Sequence, residues 1–105
     1  MAQEELAGVM LEVDENGYMQ ETDKWTREIA QAYAAKEDVN EVTDEHWKVI
    51  DYLRNYYLEF GICPMVRKLI KETGSSLSRL YELFPEGPAE SACKWAGVPK
   101  PTGCV

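Results

Sequence analysis

The chain has 105 residues, 45% of them hydrophobic and 29% charged, and its 11 Lys and Arg against 19 Asp and Glu leave a formal net charge of −8. That length suits one domain with a modest core, and the acidity disfavours non-specific binding to nucleic acid or to anionic membranes. No apolar run approaches the length of a bilayer span, and the acidic start Met1-Ala2-Gln3-Glu4-Glu5-Leu6 does not read as a signal peptide, so the expected location is the cytoplasm.

In chain order, Val9-Met10-Leu11-Glu12-Val13, the turn dipeptide Asn16-Gly17 and Tyr18-Met19 read as a small hairpin within residues 1–20. A lone hairpin is marginal and must pack on helices. Residues 23–36 read as a helix, with Trp25, Ile29 and Tyr33 on one face and Thr22 or Asp23 as its cap. The strongest helix follows Thr43, with Asp44 and Glu45 in its first turn and Gly61 at its end. Trp47, Ile50, Leu53, Tyr57 and Phe60 form its expected buried stripe. His46 stands where a capping box places Glu and reads as an exposed first-turn residue.

Pro64 opens a third helix that Gly74 closes, with Met65, Val66, Leu69 and Ile70 inward and Arg67, Lys68 and Lys71 outward. Ser76 caps a short fourth helix over residues 77–84, and Pro88 begins a fifth that carries Cys93 and ends at Gly97. Beyond it, Val98-Pro99-Lys100-Pro101-Thr102-Gly103-Cys104-Val105 is too rich in Gly and Pro for helix or central strand. It reads as a projecting arm that reaches at most about 26 Å. The expected architecture is α+β and mostly helical. Residues 1–97 form one globular domain, the hairpin over 1–20 and a helical array over 23–97, and residues 98–105 form a mobile arm.

Charge divides along this plan. Residues 1–60 hold five Lys and Arg against fifteen Asp and Glu, whereas residues 61–105 hold six against four. Any anionic ligand or partner therefore belongs with the C-terminal half. No Gly-rich phosphate loop and no Ser-His-Asp arrangement is present, and three cysteines without C-x-x-C plus one histidine make a poor zinc site. What remains is Cys93 and Cys104. Ten residues separate them, enough for the arm to fold back to the Cα separation of about 4.4–6.8 Å that a disulfide needs. Nothing obvious locks the arm, so such a bond would be reversible. A nearby cation would favour the thiolate. Lys94, Lys100 and, if the third helix lies adjacent, Arg67 are the candidates, opposed by the Val105 carboxylate at Cys104 and by the helix dipole at Cys93. Cys63, just before Pro64, reads mainly as a small buried hydrophobe, with activation at a helix N-terminus as the alternative.

The ending Cys93-Lys94-Trp95-Ala96-Gly97-Val98-Pro99-Lys100-Pro101-Thr102-Gly103-Cys104-Val105 closely resembles the C-terminal arm of the DsrC/TusE family of sulfur-trafficking proteins. Val13-Asp14-Glu15-Asn16-Gly17-Tyr18, Tyr56-Tyr57, Gly61-Ile62, Pro64-Met65-Val66-Arg67, Tyr81-Glu82-Leu83-Phe84-Pro85 and Gly87-Pro88 extend the resemblance over nearly the whole chain. Both arm cysteines are present, as in DsrC-type members, whereas TusE-type members, which pass sulfur toward tRNA thiolation and so give the resemblance its alternative function, usually keep only the penultimate one.

The resemblance implies a small β-meander packed on about five helices, including a helix-turn-helix. It also implies a sulfur carrier and co-substrate of dissimilatory sulfite reductase rather than an enzyme. Cys104 would receive sulfite-derived sulfur near the reductase's sirohaem, and Cys93 would close a trisulfide that a membrane-bound complex later reduces. No cofactor or metal of its own is expected, and the free protein is expected to be a monomer. Arg67 and Lys100 are the expected supporting cations. Family members commonly have Ala where Cys63 stands, so the resemblance gives this thiol no role. The compact stretch over residues 71–80, without the insertion common in sulfur oxidisers, leans toward sulfite reduction.

Two other readings are weaker. The third and fourth helices could form a DNA-binding helix-turn-helix, but residues 61–84 carry a net charge of only +2 and the would-be recognition helix offers only Ser78 and Arg79 to base edges. A thiol-disulfide oxidoreductase would need C-x-x-C and a thioredoxin-like βαβ pattern.

Overall fold

The computed structural model describes residues 2–99. Two strands, β1 (Ala2–Leu6) and β2 (Val9–Val13), pair antiparallel in the register Ala2↔Val13 to Leu6↔Val9. The two-residue turn between them is Ala7-Gly8, both with positive φ, 54° and 79°. That backbone matches the twist of the flanking strands. The expected Asn16-Gly17 turn is also present, organised by Asp14, whose Oδ1 accepts from the backbone N–H of Asn16 at 2.9 Å and of Tyr18 at 3.0 Å. The chain returns from that turn only as a single bridge, Val13↔Met19. The main partner of Val9–Val13 is thus the acidic N-terminal stretch, a correction to the hairpin read from sequence. Leu6, Leu11 and Val13 point into the core, and most of the remaining strand side chains face solvent, the alternation of a one-sided antiparallel ribbon.

Five helices follow: α1 (Arg27–Lys36), α2 (Asp44–Phe60), α3 (Val66–Thr73), α4 (Leu77–Leu83) and α5 (Gly87–Trp95). α1 starts one turn later than expected. A 3₁₀ turn over Thr22–Lys24 precedes it, Trp25 is extended, and Thr26 is the cap, its Oγ1 accepting from Ile29 N–H at 3.3 Å. α2 runs from Thr43 to a left-handed Gly61, as its end signals predict. Its buried stripe is His46, Val49, Ile50 and Leu53, rotated from the expected one: Trp47 and Tyr57 lie at the margin and Phe60 is 56% exposed. In α3 only Leu69 and Thr73 are buried, Met65 is 50% exposed, and Pro64 packs inward before the helix rather than at its first position. α3 and α4 stand in helix-turn-helix order, with Ser76 Oγ capping α4 through Arg79 N–H at 3.1 Å.

His46 is buried, contrary to the sequence reading. Its Nδ1 accepts from Thr43 N–H at 3.0 Å, completing the capping box with imidazole in place of carboxylate, and its Nε2–H donates to the Leu83 carbonyl at 2.8 Å. The ring lies between Phe84, edge-on at 5.3 Å, and Trp95, stacked at 5.7 Å. It ties α2 to the end of α4 and to α5.

α5 packs on α1, α2 and α4. Ala92, Trp95 and Ala96 are fully buried, and the two small alanines let the neighbouring helices close on the large indole. Burying Trp95 makes it the main fastening of α5; truncating such a residue typically costs about 3–5 kcal/mol. The helix that carries Cys93 is therefore a rigid mount.

Candidate functional site

α5 ends in a Schellman motif. Ala96 is the last capping residue and Gly97 is left-handed at φ 68°. Gly97 N–H bonds back to the Lys94 carbonyl at 3.0 Å, and Val98 N–H to the Cys93 carbonyl at 3.2 Å, the paired bonds of that motif with an apolar residue to follow. Val98 is 0% exposed. The residue assigned by sequence to the first position of the arm is therefore part of the core, because the reversal at Gly97 drives its side chain inward. Val98 is hooked onto the backbone of Cys93 itself.

Further bonds fasten the same stretch. Trp25 Nε1–H donates to the Trp95 carbonyl at 2.6 Å, and Arg54 donates from Nη1 to the Ala96 carbonyl at 2.9 Å and from Nη2 to the Thr22 carbonyl at 3.2 Å. The Arg54 guanidinium sits 4.5 Å from the centre of the Trp25 ring, a cation–π contact in a half-buried setting whose burial pulls the guanidinium below its ordinary value. On the far side of Trp95, its Nε1–H meets Glu37 Oε2 at 3.2 Å, and Glu37 Oε1 accepts from Ser91 Oγ at 2.5 Å. Sequence reasoning placed Trp25 in a helix stripe and gave Arg54 and Glu37 no role. Their partners lie up to 70 positions away, so no local pattern reveals them.

Cys93 is 2% exposed in the last turns of α5. Its Sγ lies 3.8 Å from Cys63 Sγ and 3.8 Å from the Pro88 carbonyl. Cys63 is half-buried in the turn between α2 and α3, and its S–H donates to the Pro99 carbonyl at 3.2 Å. The residue read as a small hydrophobe thus stands between Cys93 and the last described residue of the chain.

The two thiols differ in acidity. The hydrogen bond with Cys63 pushes Cys93 well above the usual thiol range, and burial and the charge of Cys63 push the same way. The same hydrogen bond, with Cys93 donating, lowers Cys63, against a smaller effect of burial. The Pro99 carbonyl opposes ionisation of Cys63, yet the order holds on exposure alone: the half-buried sulfur ionises before the buried one. Tyr18, raised mainly by burial and then by the Cys93 charge, belongs to the same electrostatic neighbourhood.

Of the other residues singled out by sequence, Arg67 is exposed on α3. With Met65, Lys68 and Lys71 it lines an open groove of about 370 Å³. Among the described residues no cation contributes to the shift of either thiol. Lys94 is engaged instead with Glu86, 3.4 Å away, and with the Tyr18 ring at 5.6 Å. Cys104 and Lys100 lie outside the described residues. Arg79, the one cation of the would-be recognition helix, is held by Glu45 at 2.6 Å and Glu82 at 3.1 Å, which leaves it poorly placed to meet DNA phosphates. Among the described residues no cluster of His, Cys, Asp and Glu could hold a metal ion, and no helix is long and apolar enough to cross a membrane.

A family model described as DsrC like protein matches residues 5–105. The chain is 47% identical to the gamma subunit of dissimilatory-type sulfite reductase of Nitratidesulfovibrio vulgaris (strain Hildenborough), over 100% of both chains. It is 40% identical to the sulfurtransferase TusE of Salmonella paratyphi A, over 93% of this chain and 95% of that one. Among solved structures, the oxidized gamma-subunit of the dissimilatory sulfite reductase (DsrC) from Archaeoglobus fulgidus superposes with a TM-score of 0.87 at 42% identity, covering 99% of this chain and 100% of that one. The overall fold is thus shared over nearly the whole chain, and the chain belongs to the DsrC-like family.

Proposed function

We propose that this protein is a cytoplasmic sulfur carrier and co-substrate of dissimilatory sulfite reductase, not itself an enzyme. It accepts sulfite-derived sulfur on Cys104 and closes a trisulfide with Cys93. The observation that carries this reading is the placement of Cys93. Its thiol is fixed on a helix whose end is hooked back onto the Cys93 carbonyl, and burial and the Cys63 contact favour its protonated form. A thiol so placed is a poor first acceptor and a good resolving partner, because it reacts only when a second sulfur is brought to it. Closing the trisulfide oxidises both thiols, so carrier and reductase together supply the electrons that lower the sulfur of sulfite to the bridging atom. A membrane-bound complex then restores the thiols and releases sulfide.

Kinship to a sulfite reductase gamma subunit over the full length of both chains supports the partner. Relay toward tRNA thiolation, the alternative that TusE kinship raises, needs only the penultimate cysteine and leaves the mounting of Cys93 without a purpose. The test is turnover with a purified dissimilatory sulfite reductase and limiting reductant. Free thiols of the carrier should disappear in proportion to sulfite consumed, and sulfite consumption that spares the thiols would overturn the proposal.

A further inference from the structure

Cys63 has no part in that cycle, yet its sulfur lies 3.8 Å from Cys93. We propose that Cys63 and Cys93 form a second redox-active dithiol, closing to a disulfide within the folded domain and so withdrawing Cys93 from the arm.

Geometry and local structure both favour the bond. A disulfide needs the sulfurs at about 2.0 Å, so they must approach by roughly 1.8 Å. Cys93 is fixed on α5, but Cys63 lies in the short turn between the left-handed Gly61 and Pro64, outside both helices. A rotation at Cys63 therefore brings its sulfur across without unwinding either helix. The two thiols already lie in hydrogen-bond contact, with the Pro88 carbonyl as the further partner of Cys93 and the Pro99 carbonyl as that of Cys63. Cys63 is also the more exposed and more readily ionised of the two, which makes it the entry point for an oxidant.

The chemistry is thiol–disulfide exchange with a low-molecular-weight disulfide such as oxidised glutathione. The Cys63 thiolate attacks one glutathione sulfur and expels the other as a thiolate, leaving a mixed disulfide on Cys63. Cys93 then loses its proton and attacks Cys63 Sγ, expelling the second glutathione thiolate. Two protein thiols are oxidised, one external disulfide is reduced, and the two protons end on glutathione or solvent.

The closed bond has a structural consequence. Moving Cys63 Sγ onto Cys93 takes it from the Pro99 carbonyl, 3.2 Å away, so oxidation also frees one fastening of the arm's root. If Cys104 acts as proposed above, on which this one consequence rests, the Cys63–Cys93 bond excludes trisulfide closure and serves as an oxidative off-switch for the carrier.

The test uses the full chain with Cys104→Ser, so that the arm cannot contribute a thiol. Incubation with oxidised glutathione should give a monomer lighter by two hydrogens, with the peptides bearing Cys63 and Cys93 joined. The Cys93 thiol should be lost at least about tenfold faster than in Cys63→Ala, Cys104→Ser, where a buried thiol must meet the oxidant unaided. Circular dichroism of both variants checks that the fold is retained. A stable mixed disulfide on Cys63 with Cys93 still reduced, or bond formation only in denaturant, would overturn the proposal. The arm is tested separately: Cys63→Ala alone should form the Cys93–Cys104 bridge, and its absence would count against the carrier reading without touching the Cys63–Cys93 pair.

Discussion

Gly97→Ala probes the hook that joins Cys93 to the departing chain. A Cβ added at Gly97 would lie 2.5 Å from Cδ1 of Trp25 and 3.0 Å from Sδ of Met19, at a φ of +68°. The left-handed conformation costs an L-residue about 1–2 kcal/mol. The overlap with Trp25 adds about 1–3 kcal/mol, because the indole is pinned by its bond to the Trp95 carbonyl and by Arg54 and cannot simply swing away. The sum, about 2–5 kcal/mol, is a large part of the stability of a domain this size. Guanidinium chloride unfolding should report it as a lower midpoint with an unchanged slope, and at about 4–8 °C per kcal/mol the melting temperature should fall by about 8 °C or more. Relaxing the clash requires letting go of Val98 and the Cys93 carbonyl, so a thiol reagent should reach Cys93 faster in the variant at temperatures where the domain stays folded. A stability change within about 0.5 kcal/mol, with Cys93 still protected, would refute the claim that the left-handed hook holds the arm's root.

Arg54→Met should cost about 1–3 kcal/mol in chemical unfolding, because it strips the donors from the Ala96 and Thr22 carbonyls; Arg54→Lys should recover little, since an ammonium cannot reproduce the fork. Alkylation with iodoacetamide near pH 8 should label Cys63 well before Cys93, as mass spectrometry of digests will read. Because folding raises Cys93 above the ordinary thiol value of 9.0, its contribution to stability is complete below that value and is lost as pH rises through the folded value; Cys93→Ser should flatten the alkaline decline in unfolding free energy, and an unchanged decline would contradict the assigned shift. Neutralising Arg67 or Lys100 to Gln should slow carrier turnover several-fold without changing the melting temperature, as expected of cations that favour thiolate or persulfide at the partner rather than support the core.

Much of the fold was legible because its signals are local. Thr43 and Gly61 bracket α2, Gly74 and Ser76 separate α3 from α4, and Pro88 and Gly97 frame the helix of Cys93. β1 was missed because Gln3-Glu4-Glu5 reads as a solvated acidic stretch, and because Ala7 at φ 54° makes a tight turn that Ala does not advertise. His46 was misplaced for a different reason. A histidine in a first turn looks exposed until the Leu83 carbonyl, 37 positions away, arrives to pair it. The same holds at the site. The arm cysteines stand out by motif, whereas Cys63, Trp25 and Arg54 gain meaning only when tertiary packing brings them to α5.

The proposed carrier divides its labour between Cys104 as acceptor and Cys93 as its partner on α5. Sulfur loading after turnover with dissimilatory sulfite reductase and sulfite, followed by mass spectrometry under non-reducing conditions, tests this division most directly. Wild type should carry one added sulfur bridging Cys93 and Cys104. Cys93→Ala should load sulfur on Cys104 without closing the bridge, and Cys104→Ala should load none. Sulfur gained by Cys104→Ala at the wild-type rate, or failure of Cys93→Ala to load at all, would contradict the account.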